Sequence, residues 1–364
     1  MKKALLLTAL LLSLAGGTAR AQWNYDIPFP KPLRSTPDTV SVCIIGDVMM
    51  HSGQMNRDWS EFLKRVAGPM RGADIAIANM EFTLAGEPYS GYPAFSAPDA
   101  YAWRVCEDLG LDLMLTANNH ILDKGRAGAE RTLEVYDSLR SCLGVENCGM
   151  SRSTEEDEDS YPAIFLRKGI RIAFIPFTYG TNAAPQYSWP KVNRMTKEDI
   201  GAAFGRARER GADFIVALPH WGIEYELRHS AGQARWAEWL AAQGACAIVG
   251  AHPHVVQDTT HIAGVPVIYS LGNAVSNMSA KNTRLELMVT LRFISDPSSG
   301  EKRMLEPELR FMWCTLPGRL TGSYATIFTK EWTGCKDSWS DPSDYLNMVG
   351  TLERVKAATG IEAD

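Results

Sequence analysis

The sequence predicts an α/β domain, with strands at the centre and helices outside, and three observations carry that prediction. Five short apolar runs, VSVCIIG (40–46), DIAIAN (74–79), LDLMLTA (111–117), DFIVALP (213–219) and ACAIVG (245–250), read as strands buried on both faces. Helix patterns with charged faces lie between them, over 52–66, 99–109, 126–141, 196–210 and 230–243. A second set of runs, YPAIFLRKGIRIAFIPF (161–177), VPVIYSLGN (265–273), RLELMVTLRFI (284–294) and MLEPELRFMW (304–313), reads as hairpins and meanders, with Lys168-Gly169 as a tight turn. Two packed sheets covered by helices is the economical arrangement.

The ends of the chain read differently. Residues 1–21 have two lysines, an apolar run and the pair Ala19-x-Ala21, which is the pattern of a signal peptide. The apolar run is too short for a convincing membrane span and no second long run follows, so the mature chain is expected to be exported, to the periplasm or the cell exterior, with no membrane span. Residues 22–38 hold four prolines and read as an extended lead-in. The domain is expected over 39–314, with 315–364 as a C-terminal appendix packed on it, because the pattern is weakest there. The acidic run SRSTEEDEDS (151–160) reads as a solvated loop.

The net charge of -5 becomes more negative once Lys2, Lys3 and Arg20 leave with the leader. No basic stripe accompanies it, which argues against nucleic acid as a partner and leaves any anionic ligand to be held locally. Seven cysteines in a chain of 364 residues do not make a disulfide scaffold. Cys142 with Cys148, and Cys314 with Cys335, are plausible bridges after export; Cys43, Cys106 and Cys246 read as buried thiols.

The chemistry collects where the apolar runs end. In turn these tips carry Asp47 and His51 (GDVMMH), Glu81 (NMEF), Asn118, Asn119, His120 and Asp123 (ANNHILDKG), His220 (PHWGIEY), and His252 with His254 (GAHPHVVQ). Ligands of open α/β sheets bind beyond the carboxyl ends of the strands, so these side chains should converge. Imidazole, carboxylate and amide oxygen together form the donor set of a divalent site for Zn, Mn or Fe, and the lack of cysteine there argues against a closed structural zinc. Each has a plainer use. Asp47 can cap a helix or form a turn, Asn118-Asn119 can supply a left-handed turn residue, His220 can be a structural histidine, and Pro253 can make a rigid corner. Five of the seven histidines at such tips is more clustering than independent structural uses would produce. His229 and His261 fall outside the pattern.

GDVMMH, NMEFTLAG, LTANNHILDKG, HWGIEY, GAHPHVVQ and YSLGN, in this order, resemble the capsule synthesis protein CapA family, associated with poly-γ-glutamate capsule formation. That family is in turn similar to the calcineurin-like metallophosphoesterases. The resemblance implies a four-layer α/β/β/α sandwich and a metal centre with Asp47, Glu81, Asn119, His220, His252 and His254 as ligands, holding one or two divalent ions. It implies that His120 assists at the reacting group. Two departures stand out: His51 follows Asp47 by four residues rather than two, and the second motif offers Glu81 where the superfamily has an aspartate.

On this reading the site activates a water toward a phosphoryl or carbonyl centre, with His120 as acid or oxyanion holder and Glu81 or Glu224 as base. Asp123 either orients His120 or caps the helix beginning near 126. His51, Asn118, Glu224, Tyr225 and Asn273 are candidates for contact with substrate, and Trp221 and Tyr269 either line the same cleft or pack beneath it. The expected function is a metal-dependent hydrolase acting on a small phosphoester or on an amide bond of an anionic cell-surface polymer such as poly-γ-glutamate. The alternatives are a factor that assembles or retains capsule polymer without cleaving it, and a module that keeps only a structural metal.

Overall fold

The computed structural model describes residues 38–183, 187–296 and 298–363. The leader and all but the last residue of the lead-in lie outside the described residues. Eight strands form the first sheet, in the order Ala325–Phe328, Glu308–Thr315, Leu285–Ser295, Asp38–Val48, Ile75–Met80, Leu113–Leu115 and Glu146–Cys148, with Lys302–Met304 paired on Leu285–Ser295. Six strands form the second, in the order Thr259–Ile262, Val265–Ile268, Ala247–Val249, Phe214–His220, Ile170–Thr178 and Ala163–Arg167. The four strands from Asp38 to Cys148 run parallel, and so do the four central strands of the second sheet.

Alternation along Asp38–Val48 shows how the layers arise. Val40, Val42 and Ile44 enter the core shared with Ile172 and Phe174 of the second sheet, whereas Cys43 and Ile45 face Tyr101 and Val105 of the helix Asp99–Leu109. Beyond the second sheet, Ile200, Ala203 and Phe204 of the helix Lys197–Glu209, and Leu240 of Ala231–Ala242, close the other side. The result is the helix, sheet, sheet, helix order of an α/β/β/α sandwich. The predicted Lys168-Gly169 turn has φ of 49° and 79°, as a two-residue hairpin of the primed type requires.

Four readings are corrected. The span 52–66 is not one helix but a helical turn, Ser52–Met55, and a 3-10 turn, Trp59–Glu61, followed by the helix Ala67–Gly72. Side chains intervene there: Gln54 accepts from the His51 N–H, Trp59 Nε1 donates to the Gln54 carbonyl, and Asp58 accepts from the Ser60 N–H. The acidic run is not a loop but carries the helix Thr154–Ser160, because Ser153 caps the Glu156 N–H and three acidic residues sit in the first turn, where the helix dipole favours them. The 265–273 run gives up its second half to an irregular crossing, and Thr259–Ile262 joins Val265–Ile268 as a hairpin. All seven cysteines are free: Cys148 and Cys314 are buried while Cys142 and Cys335 are exposed, so neither expected bridge forms.

Candidate metal centre

The ends of the parallel strands of both sheets open on one buried pit. From the first sheet come Asp47, Asn79 and Glu81; the segment after Leu113–Leu115 adds Asn118, Asn119 and His120. The second sheet contributes His220 at the end of Phe214–His220, and His252 and His254 after Ala247–Val249. The chain joins the two sheets at this point. Asp47 N–H donates to the Gly272 carbonyl at 3.0 Å, and Ala274 N–H donates to the Asp47 carbonyl at 2.9 Å. A Cβ on Gly46 would stand 2.1 Å from the Gly272 oxygen, so only glycine allows this crossing.

Hydrogen bonds tie the pit together. Asn79 Nδ2 donates to Asp47 Oδ1 at 2.6 Å and lies 3.3 Å from His220 Nδ1, while His220 Nε2 stands 2.8 Å from Asn119 Oδ1 and 3.6 Å from Glu81 Oε1. His254 Nδ1 is 2.8 Å from Asn273 Oδ1, 3.5 Å from Asp47 Oδ2 and 3.8 Å from Glu81 Oε2. The His252 backbone N–H donates to Asp47 Oδ2 at 3.2 Å. His252 and His254 hold φ of 100° and 58°, conformations that β-carbon residues adopt at a cost and keep only where the surroundings impose them. The HPH loop is thus set by the site rather than by proline alone.

Electrostatics separate the roles. Burial alone would raise the Asp47 carboxyl, but the hydrogen bond to His254 and the nearness of His220 and His254 hold it down, at about 2. Burial disfavours charge on His254, yet Asp47 and Asn273 raise it above the ordinary histidine value. Burial pushes His220 down to about 3, and burial together with His220 pushes His252 well down, so both are neutral donors. Glu81 goes the other way: burial and the adjacent Asp47 carboxylate push it well above the usual range.

Both Glu81 oxygens are buried without a hydrogen-bond partner, and so is His252 Nδ1. Donor atoms of Glu81, His252 and His254 lie within 4.8 Å of one another. A desolvated carboxyl group with both oxygens unpartnered, and the unpartnered Nδ1 of His252, are what a divalent cation would complete, so the residues present fit the metal that the donor set implied.

The other anticipated residues divide. His120 Nδ1 lies 2.6 Å from Asp123 Oδ2, whose oxygen also accepts from the Phe95 N–H, and the helix Gly125–Leu143 takes no side-chain cap from Asp123. Asn118 is turned inward, donating to the Met80 carbonyl and accepting from the His120 N–H; Asn273 spends its amide on His254 and on the Thr283 carbonyl. Both brace the pit. His51 lies outside the donor cluster, with Nδ1 near Gln54 and the Asn277 N–H and its ring edge-on to Phe95. Burial pushes it down to about 4. Glu224 and Tyr225 are exposed at the mouth, the Tyr225 ring 6.4 Å from that of His254. Trp221 and Tyr269 pack underneath, the indole donating to the Tyr269 carbonyl at 3.0 Å.

Three contributors were not anticipated. Asn79 links Asp47 to His220 although its neighbour Glu81 drew the attention. Tyr179, its ring 4.6 Å from that of His252, and Asn182, whose amide lies 3.5 Å from both His120 nitrogens, follow the strand Ile170–Thr178. The strand-tip rule applies to that strand too, but its reading as part of a hairpin hid the tip.

A two-sheet α/β/β/α frame with a pit of carboxylates, amides and imidazoles at its strand ends defines the class: an α/β protein with a candidate metal centre. Within that class, the family model described as bacterial capsule synthesis protein PGA_cap matches residues 41–278, and the chain belongs to that family. It is similar to the PGA biosynthesis protein CapA of Bacillus subtilis, 26% identical over 281 residues, covering 73% of this chain and 71% of the relative. It is also similar to the capsule biosynthesis protein CapA of Bacillus anthracis, 25% identical over 268 residues, covering 69% of this chain and 63% of that one, which is less than two thirds of its length. A calcineurin-like phosphoesterase structure from Bacillus subtilis aligns with a TM-score of 0.48 at 13% identity, over 89% of this chain and 98% of that one. Among the described residues no helix is long and apolar enough to cross a membrane.

Proposed function

We propose that this protein is an exported, divalent-metal-dependent hydrolase of the capsule synthesis family, acting on a phosphoester or on an amide bond of an anionic cell-surface polymer such as poly-γ-glutamate. The observation that carries the reading is Glu81, a buried carboxyl group with both oxygens unpartnered, beside the neutral imidazoles of His220 and His252. A purely binding surface for a polyanion has no use for a buried carboxyl group without a partner, which costs stability and offers a polyanion nothing. Export rests on the leader pattern of residues 1–21.

Glu81, His252, His254, Asn119, His220 and Asp47 would hold one or two ions, and Mn, Zn and Fe all suit the donor set. A divalent ion in this pit supplies a Lewis acid and lowers the pKa of a water bound to it. The protein's own groups do the rest. Asn79 and His254 keep Asp47 ionised and aimed, and Asn273 fixes the His254 ring by accepting from Nδ1. Asp123 anchors His120 through Nδ1, which leaves Nε2 to give a proton to the leaving group or to hold a developing oxyanion. Tyr179 and Tyr225 stand at the rim, where substrate enters.

Elemental analysis of purified protein, followed by a screen of chromogenic phosphoesters and γ-glutamyl polymers with and without Mn, tests this. Bound metal and turnover in one substrate class are expected; protein that takes up no metal overturns the reading. His252→Ala is expected to lose metal and turnover together, whereas His120→Ala keeps metal and loses turnover.

A further inference from the structure

We propose that the cavity between the loop 277–284 and the C-terminal helix is an accessory site for a carboxylate group of an anionic ligand, distinct from the metal centre. The cavity measures about 430 Å³, within the range of small-ligand sites. Its floor is rigid. Arg284 donates through Nη1 and Nη2 to both oxygens of Asp344 at 2.6 Å and through Nε to the Cys314 carbonyl at 2.7 Å, with its guanidinium 4.3 Å from the centre of the Trp313 ring. That pair cancels its own charge, so it shapes the cavity without attracting a ligand.

The walls carry the free charge. Asn347, Thr351 and Arg354 sit four and three residues apart on the helix Pro342–Thr359, which puts them on one face, and all three line the cavity. Arg354 donates through Nε to Asn282 Oδ1 at 2.9 Å, through Nη2 to Thr351 Oγ1 at 2.9 Å and through Nη1 to the Gly350 carbonyl at 3.2 Å. Two of its five N–H groups stay unspent, and the three bonds hold the fork in place. Lys281 lines the facing wall, exposed and with no ion pair among the described residues. No aspartate or glutamate lines the cavity. Two uncompensated cations among amide and hydroxyl donors, one of them a pre-oriented guanidinium, suit a carboxylate.

The same loop reaches the metal centre. Asn282, which holds Arg354, adjoins Thr283, whose carbonyl accepts from Asn273 Nδ2 at 3.0 Å, and Asn273 Oδ1 faces His254 Nδ1 at 2.8 Å. A polyanion long enough to follow that loop would be gripped in the cavity while another part of it lies at the centre. The choice of carboxylate over phosphate rests on the capsule-polymer reading above; the cationic cavity itself does not.

Calorimetric titration of chelator-treated full-length protein with short γ-glutamyl oligomers, and separately with inorganic phosphate, tests the assignment. Binding of the oligomer is expected to weaken at least tenfold in Lys281→Glu, whose side chain is exposed and whose exchange leaves the core untouched, and in Arg354→Gln. It is expected to be unchanged in Arg303→Gln, an exposed cation on the strand Lys302–Met304 that does not line the cavity. Absence of oligomer binding to the wild type, or equal affinity in all variants, overturns the site; phosphate binding as tightly as the oligomer overturns the carboxylate assignment. Protein that binds the oligomer in this way yet turns over no substrate supports the cavity and overturns only the hydrolase reading.

Discussion

Replacing Glu81 with glutamine should stabilise the metal-free protein and weaken its response to metal, two effects of opposite sign from one substitution. The Glu81 carboxyl is fully buried, its oxygens have no donors, and the Asp47 carboxylate beside it can only receive a proton from it. Its folded pKa is therefore raised above the unfolded value near 4.5. Below about pH 4.5 both states are protonated and the residue costs nothing through ionisation. As pH rises, the unfolded chain releases the proton while the folded chain keeps it, and stability is lost at about 1.4 kcal/mol per pH unit until the folded group also ionises. At pH 7 the ceiling is about 3.4 kcal/mol, which Glu81→Gln removes. In urea unfolding of chelator-treated protein, the variant should match the wild type near pH 4.5 and exceed it at pH 7, by up to that amount. Saturating Mn should then stabilise the wild type by several kcal/mol, about 4 at a thousandfold excess over Kd, and the variant by much less. A variant less stable than the wild type at pH 7 without metal would refute the reasoning, since it would mean that Glu81 has a partner in the folded state.

Three further outcomes follow from the same geometry. His51 is neutral in the fold down to about pH 4, so chelator-treated protein should lose stability as pH falls from about 6.5 toward 4, where the unfolded chain takes up the proton first, and His51→Gln should flatten that slope by at most about 1.4 kcal/mol per pH unit; equal slopes would count against burial as the cause. Gly46→Ala meets the Gly272 carbonyl at 2.1 Å and should lower the urea midpoint by an amount equivalent to about 1–3 kcal/mol, with impaired metal uptake because Asp47 is the next residue. Asp123→Asn should leave metal content intact and lower turnover about 10- to 100-fold by freeing the His120 ring, and a change in metal stoichiometry would instead place His120 among the ligands.

Much of the centre was legible in the chain because it depends on position along strands. Asp47, Glu81, Asn119, His220, His252 and His254 each follow a short apolar run, and parallel strands put such ends on one edge, where the structure brings them together. The helix Asp99–Leu109 was legible to its ends, with Gly110 in the left-handed conformation as its stop. Less legible was what each tip residue does. Asn118 and Asn273 carry the same groups as Asn119, yet their amides turn inward to backbone carbonyls, and only the surrounding chain decides that. Asn79 was passed over because an amide in a buried strand looks like any other core position until its partners are known.

By itself, the sequence determined the local order of strands and helices and the set of donor-bearing tips, since periodicity and turn chemistry act over a few residues. Only the tertiary structure decided which strands share a sheet. The antiparallel strands Leu285–Ser295 and Glu308–Thr315 return to pair beside Asp38–Val48, far from them in sequence, while the hairpin Ala163–Thr178 joins the second sheet. An apolar strand carries no label for its neighbour, so pairing is settled by which faces can be buried together. That same long-range packing is what desolvates Glu81 and separates the acidities of Asp47 and Glu81, because burial and neighbouring charge are properties of the assembled pit.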